Sequence, residues 1–359
     1  MIQIRPAFYF VVASAIFLLF FIFSSGTSVY QSTGEGGVFW GTKTKATNGV
    51  GAAINNKTLG FGKIYSINLP ERTDKRDAQT LAASYTNLKI DFMKGVKGSE
   101  VPDKAVPFGT NRSLIWETNV GSWRGHMNAI RTIVEEPLGS ALIIEDDVDW
   151  DLTVHQQLQQ FSQAAMHLQV PNSVQNEDNP YGTEWDLLWL GHCGEHFPET
   201  IEPKLEDPDL RKFVIENDPT VPSFNHVSGF VDWKSYKEHT RFVHTTGGPI
   251  CTFGYALSHE GARKVLYNLS IKGLGGIFDN VLSDMCRYQI FGFRCISVNP
   301  TFMYHHKPRG YLAAESDIRK YGPGGEIREV GFTENVVYST RLNLENMVQG
   351  LKPVPQWDD

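Results

Sequence analysis

The stretch from Ala141 to Asp151 constrains this chain more than any other. Ala141, Leu142, Ile143 and Ile144 run straight into Glu145, Asp146, Asp147, Val148, Asp149, Trp150 and Asp151. Four apolar residues are followed by five carboxylates within seven positions, and no lysine or arginine interrupts them. A short apolar run of this kind reads as a buried strand, most often of a parallel sheet. In open α/β sheets, ligands bind beyond the carboxyl ends of the strands, so the acids are expected at a ligand site. Carboxylates this dense repel one another, and a bound divalent cation relieves the repulsion. Hard oxygen ligands favour magnesium, calcium or manganese over zinc. On spacing alone, a solvated acidic turn after a core strand is the plain alternative.

Around that strand the pattern alternates between strand and helix. Residues 63–69 read as a strand stopped by Pro70, and a polar helix capped by Thr73 or Asp74 follows to about Tyr85. A strand over 90–96, a helix from Ser122 to about Glu136 and the acid-bearing strand come next. A helix over 153–169, a strand over 186–190, a strand over 251–257 and a helix capped by Ser258 continue the alternation. A helix over 278–288 and a strand over 293–298 complete it. Such alternation specifies an α/β sandwich with a mostly parallel central sheet. Residues 192–249 are too many for a simple connection and are expected to be functional.

The 359 residues suffice for a full core, and a composition of 41% apolar and 20% charged residues excludes general disorder. A net charge of −7 without a basic tract argues against a nucleic-acid partner. Residues 7–23 are apolar but for Tyr9 and Ser14, with Arg5 before them and no acid until Glu35. That pattern predicts a cytosolic tail over 1–6, a single membrane-spanning signal anchor over 7–23 and a lumenal body, with a cleaved signal peptide as the alternative. Residues 24–60, rich in Gly, Ser, Thr and Asn, read as a flexible stem, leaving 61–359 as the folded domain. The triplets beginning at Asn56, Asn111 and Asn268 are glycosylation acceptors. Cys193, Cys251, Cys286 and Cys295 allow two bridges with three connectivities in an oxidising lumen. Cys286 and Cys295 are the expected pair because they are close in sequence, and buried free thiols are the alternative. His192, Cys193, Glu195 and His196 invite a zinc reading, but no second ligand pair stands at a suitable spacing.

Four blocks, in order, resemble glycosyltransferase family 25, which includes lipopolysaccharide galactosyltransferases and collagen hydroxylysine galactosyltransferases. Ile67, Asn68, Leu69, Pro70, Glu71 and Arg72, with Arg76, are similar to its opening signature. Residues 121–129, from Gly121 to Ala129 and including His126, resemble its glycine-rich helix start, with Gly125 where serine is usual. Residues 142–148 resemble its metal-binding strand end. Phe253, Gly254, Tyr255, Ala256, Leu257 and Ser258, with Gly261 and Ala262, and then Phe278 and Asp279, resemble its later blocks. The resemblance spans about residues 63–300. It implies a GT-A-like, Rossmann-like nucleotide-sugar-binding sandwich that uses manganese or magnesium.

Within that reading Asp147 coordinates the metal, and Glu145 or Asp146 holds the donor ribose or a metal-bound water. Asn68 and Leu69 face the nucleotide base, while Arg72 and Arg76 reach the base or phosphates. His126 points into the cleft, and Asp279 is the expected general base, its alternative being a plain helix cap. His305 or His306, after the last core strand, is the expected second metal ligand, and Trp233 and Tyr236 in the long loop are candidates for stacking on a sugar ring. The expected activity is an inverting transfer of a hexose, galactose first, from a UDP-sugar to a glycan or glycoprotein hydroxyl in the Golgi or endoplasmic reticulum. Rival expectations are a retaining transferase of the same fold, a catalytically inactive lumenal sugar-binding or chaperone-like relative, and a calcium-binding adhesion domain.

Overall fold

The structure is a computed structural model that describes residues 49–169, 171–201, 212–318 and 325–358. The expected anchor at 7–23 lies outside these residues, and among the described ones no helix is long and apolar enough to cross a membrane. The expected stem reaches into the body. Helix α1 (Val50–Ile54) and the turn after it bury Ile54 and Leu59, so the folded unit begins well before residue 60.

In chain order follow β1 (Lys63–Asn68), α2 (Thr73–Tyr85), β2 (Ile90–Lys94), α3 (Glu117–Glu135), β3 (Ser140–Glu145), β4 (Val148–Trp150), α4 (Val154–Gln169) and β5 (Leu187–Gly191). Then come β6 (Lys212–Ile215), β7 (Arg241–Thr245), β8 (Gly254–Ser258), α5 (His259–Leu266), α6 (Phe278–Arg287), β9 (Cys295–Asn299) and β10 (Met303–His305). Eight strands form one sheet in the order β2-β1-β3-β8-β5-β9-β7-β6. Strands β2, β1 and β3 pair in parallel, as do β5 and β9. Strand β8 runs against both its neighbours, and β7 against both of its own. This is an α/β fold with a mixed sheet, consistent with a Rossmann-like arrangement. The expected mostly parallel sheet therefore needs correcting: the parallel pairings are interrupted by β8 and by the β6–β7 hairpin. That hairpin comes from residues that the alternation pattern assigned to a loop.

Period-two alternation divides the strand residues between two cores. Leu142 and Ile144 of β3 face one core with α4, whose Val154, Leu158, Phe161 and Ala165 recur at helical spacing on one face. Ala141 and Ile143 face the other, with Val120, Trp123, Met127 and Ile130 of α3 and with α5 and α6. Pro137 stops α3, because the residue before proline is pushed out of the helical region; Glu136 is extended at φ −88°, ψ 134°. A small third core joins Phe197, Trp233 and Phe242, packed against Tyr236. Trp233 is thus committed to packing and is not free to stack on a sugar, contrary to expectation. Both disulfides form: Cys286–Cys295, as expected, and Cys193–Cys251.

Candidate functional site

The carboxyl ends of β1 and β3 and the start of the reversed strand β8 meet at one edge of the sheet, where a cleft of about 770 Å³ opens. Strand β3 delivers Glu145 to that edge, and the chain turns through Asp146 and Asp147 into β4. Strand β4 pairs antiparallel with β10, setting His305 opposite Val148. This ribbon passes close over the sheet because Gly191 carries no side chain, and Gly254 leaves room for the Met303 side chain. A Cβ on Gly191 would lie 2.6 Å from the Met303 carbonyl oxygen, and one on Gly254 would lie 2.7 Å from the Met303 sulfur. The result is His305 Nε2 at 3.5 Å from Asp147 Oδ2.

The five acids divide into two groups. Asp149 and Asp151 are fully buried and act as anchors for the C-terminal segment. Asp149 accepts from Thr333 Oγ1 (2.8 Å), the Ser339 hydroxyl and the Arg341 amide (3.1 Å), and Asp151 accepts from the Tyr338 amide (2.8 Å). Glu145, Asp146 and Asp147 line the cleft. Glu145 accepts from Thr252 Oγ1 (2.8 Å) and lies 3.7 Å from His126 Nε2. His126 is buried, contacts the Tyr255 hydroxyl through Nδ1 at 2.9 Å and stacks on Phe278, with only its far edge reaching the cleft. It sits in the middle of α3 rather than near its start, because the helix begins at Glu117 instead of Ser122.

Lys75 carries no expected role and stands at the centre of the charge network. Its ammonium lies 3.0 Å from Asp147 Oδ2, 3.3 Å from Asp146 Oδ1 and 3.0 Å from Asp317 Oδ2. Burial opposes the lysine charge, but Asp147, Asp146 and Asp317 outweigh it and hold its pKa above the ordinary value. Burial, then the neighbouring Asp147, raises Asp146. Burial also works against the Asp147 charge, yet His305 and Lys75 prevail and hold this carboxyl below the usual range. From behind the turn, the buried Arg341 donates to the Asp146 carbonyl (2.6 Å) and the Val148 carbonyl (3.0 Å).

Asn68 donates to Asp146 Oδ2 at 2.8 Å and to the Arg72 carbonyl at 3.1 Å, so it orients the acid turn. Leu69 lines the cleft. Arg72 pairs with Asp74 and Asp317 at the cleft rim. Arg76 is exposed and lies over the Phe92 ring at 4.7 Å, away from the acids. His306 turns to the opposite side of the ribbon from His305. It contacts Thr333 Oγ1 at 2.9 Å, and burial lowers its pKa to about 4. Asp279, on the first turn of α6, lines the cleft; it accepts from the Cys251 amide at 2.9 Å and from the Asn280 amide at 2.9 Å.

The spacing of Arg72 and Lys75, three residues apart at a helix start, signals one shared face and offered a way to find Lys75. Asp317 and Arg341 carry no local signal, since only the fold brings them to the acids.

The fit of a metal rests on two atoms. Asp147 Oδ1 and His305 Nε2 are buried, and neither has a hydrogen-bond partner. A carboxylate oxygen and an imidazole nitrogen without partners, in side chains 3.5 Å apart, suit a divalent cation. Among the described residues, no group of three or more His, Cys, Asp and Glu side chains is arranged to hold a metal unaided. Any cation there takes its remaining ligands from solvent or substrate. In comparisons with known proteins, the chain matches no family model and no curated protein.

Proposed function

We propose that this chain is a metal-dependent inverting glycosyltransferase of GT-A-like fold. It moves a hexose, galactose first, from a UDP-sugar to a glycan or glycoprotein hydroxyl in the lumen of the Golgi or endoplasmic reticulum, anchored by residues 7–23. The observation that carries the reading is the pair of unpartnered buried atoms, Asp147 Oδ1 and His305 Nε2, in a cleft that also presents Asp279. The four sequence blocks resembling glycosyltransferase family 25 supply the substrate class.

Asp147 and His305 would hold manganese or magnesium, which when bound neutralises charge on the departing diphosphate. The chain's own side chains do the rest. Asn68, Lys75 and Arg341 fix the acid turn so that Asp147 presents one oxygen to the cleft. Glu145, braced by Thr252 and His126, offers its other oxygen to a ribose hydroxyl. Leu69 provides an apolar wall beside the nucleotide. Asp279 takes the proton of the acceptor hydroxyl as that oxygen bonds to the anomeric carbon, and the bond from that carbon to the diphosphate oxygen breaks with both electrons leaving on UDP.

The test is a screen of UDP-sugars with manganese, comparing the parent chain with Asp147→Asn. The parent is expected to release UDP, and the variant to lose at least about 100-fold in turnover while its thermal melt stays cooperative. Manganese-dependent turnover that survives the substitution sinks the metal assignment.

A further inference from the structure

Beside the acids lies a second charged arrangement, which the metal reading leaves unexplained. Arg72 and Lys75 converge on a single oxygen, Oδ2 of Asp317, which accepts from the Arg72 guanidinium and from Lys75 Nζ at 3.0 Å. Asp317 comes from a strap of chain that crosses the cleft mouth. Upstream, Glu315 is tied to Lys307 and Arg328. The Ala314 carbonyl accepts from Arg72 Nη2 at 2.8 Å. Downstream, the Ile318 carbonyl accepts from Thr118 Oγ1 on α3 at 3.3 Å. Lys75 and Asp317 both line the cleft, and the Asp317 side chain keeps 33% of its surface exposed.

We propose that Arg72 and Lys75 form the anion subsite for the donor's diphosphate, and that Asp317 fills this subsite from within the chain until the donor displaces it. The inference rests on the donor class proposed above and adds the residues that receive the phosphates and the group they must exchange. Arg72 holds Asp74 through Nε and Nη2, and Lys75 meets Asp146 and Asp147, but Arg72 Nη1 and Lys75 Nζ converge on Asp317. Among the described residues, that marks the one place in this acidic cleft where an acceptor meets both cations. Arg72 Nη1 would give a phosphate oxygen a charge-assisted hydrogen bond, and the Lys75 ammonium would meet it as a compact charge. A diphosphate brings more oxygens and more charge than one carboxylate, so it exchanges favourably. Because Asp317 competes from the same chain, it lowers the apparent affinity in proportion to the fraction of molecules it closes. Neutralising Asp317 while keeping its shape therefore frees the subsite.

The experiment measures binding of inorganic pyrophosphate to the purified full-length chain by calorimetry, in chelator and without nucleotide. The parent chain, Asp317→Asn and Arg72→Gln are compared, each with a thermal melt as the folding check. Asp317→Asn is expected to bind pyrophosphate about 5- to 10-fold more tightly than the parent. Arg72→Gln is expected to lose binding, and to lose it also when combined with Asp317→Asn. Unchanged or weaker binding by Asp317→Asn overturns the proposal, as does binding that is indifferent to Arg72. The binding assay contains no sugar. A chain that turns over no UDP-sugar but tightens on pyrophosphate when Asp317 is neutralised keeps the subsite and loses the transferase reading. A chain that turns over donor with no Asp317 effect on pyrophosphate does the reverse.

Discussion

Asp279 holds two backbone amides, those of Cys251 and Asn280, and still faces the cleft. A carboxylate fixed in this way has its orientation set before substrate arrives, which suits a group that must take one proton at one moment. Asp279→Asn keeps the shape and removes the basicity. It is expected to lower the rate of sugar transfer about 100- to 10,000-fold while leaving UDP-sugar affinity within a few-fold, as read by steady-state kinetics beside direct donor binding. An unchanged rate removes Asp279 from the base role and leaves it as a brace for the Cys251 turn. Cys251 itself has a positive φ of 67° and is bonded to Cys193 across 58 residues of chain. Replacing both cysteines by serine is expected to cost about 2–4 kcal/mol in denaturant unfolding and to depress transfer, because the backbone that steadies Asp279 is no longer tied. Full transfer activity in that double variant separates the disulfide from the site.

The ribbon of β4 and β10 is the element on which the acid turn depends, and the C-terminal segment is what holds the ribbon down. Asp149 receives three donors from residues 333–341, and Asp149, Thr333 and Ser339 are fully buried. Asp149→Ala leaves those donors without an acceptor and is expected to destabilise the protein by about 3–5 kcal/mol. Proteolysis should then cut the C-terminal segment before the sheet. Equal susceptibility of the two would show that the segment does not depend on this anchor. The strand carrying the acids was legible in the sequence because an apolar run that ends in charge has few other readings. Ser258 capped its helix as expected, its Oγ accepting from the Gly261 amide. Two features of this region were not legible. Strand β6 is the sheet edge and its half-buried residues give a weak alternation, while β7 is buried yet carries Arg241, His244 and Thr245 among only two apolar residues. The split of the five acids into structural and cleft-facing members depends on Arg341, Ser339 and Thr333, which nothing local ties to residues 145–151. His305 and His306 are neighbours in sequence, one ending β10 and the other just past it, and they turn to opposite sides, so the local sequence identified the pair but not the member beside Asp147.

At the scale of the whole molecule, the sheet carries a second buried group of ionisable residues. His192, Glu195 and His244 are all fully buried, with Glu195 Oε2 at 3.4 Å from His192 Nε2 and 4.0 Å from His244 Nε2. Burial lowers His192 to about 3 and His244 to about 4, and it raises Glu195 to about 8. At neutral pH all three are therefore uncharged. Unfolded, Glu195 loses its proton near 4.5, whereas folded it keeps the proton until about 8. Over that interval the unfolded chain binds fewer protons, so stability falls as pH rises, with a slope approaching about 1.4 kcal/mol per pH unit. The histidines act in the other direction. The unfolded chain takes up protons below 6.5 that the folded chain refuses until about 3 and 4, so their contribution is lost as pH falls. Glu195→Gln is expected to flatten the decline between pH 6.5 and 8 in melting temperature and to steepen the rise between 4.5 and 6.5, where Glu195 otherwise offsets the histidines. A parent-like slope in that variant would show that other groups set the alkaline limit. The pairing of Arg341 with the acid turn also bears on synthesis. The Asp149 carboxylate and the Arg341 amide that it binds are 192 residues apart, so a ribosome releases the acid-bearing strand long before the residues that steady it. A nascent chain therefore carries its acids unbraced until residue 341 has emerged, and a premature stop codon before Arg341 should yield a product whose acid turn is never fixed.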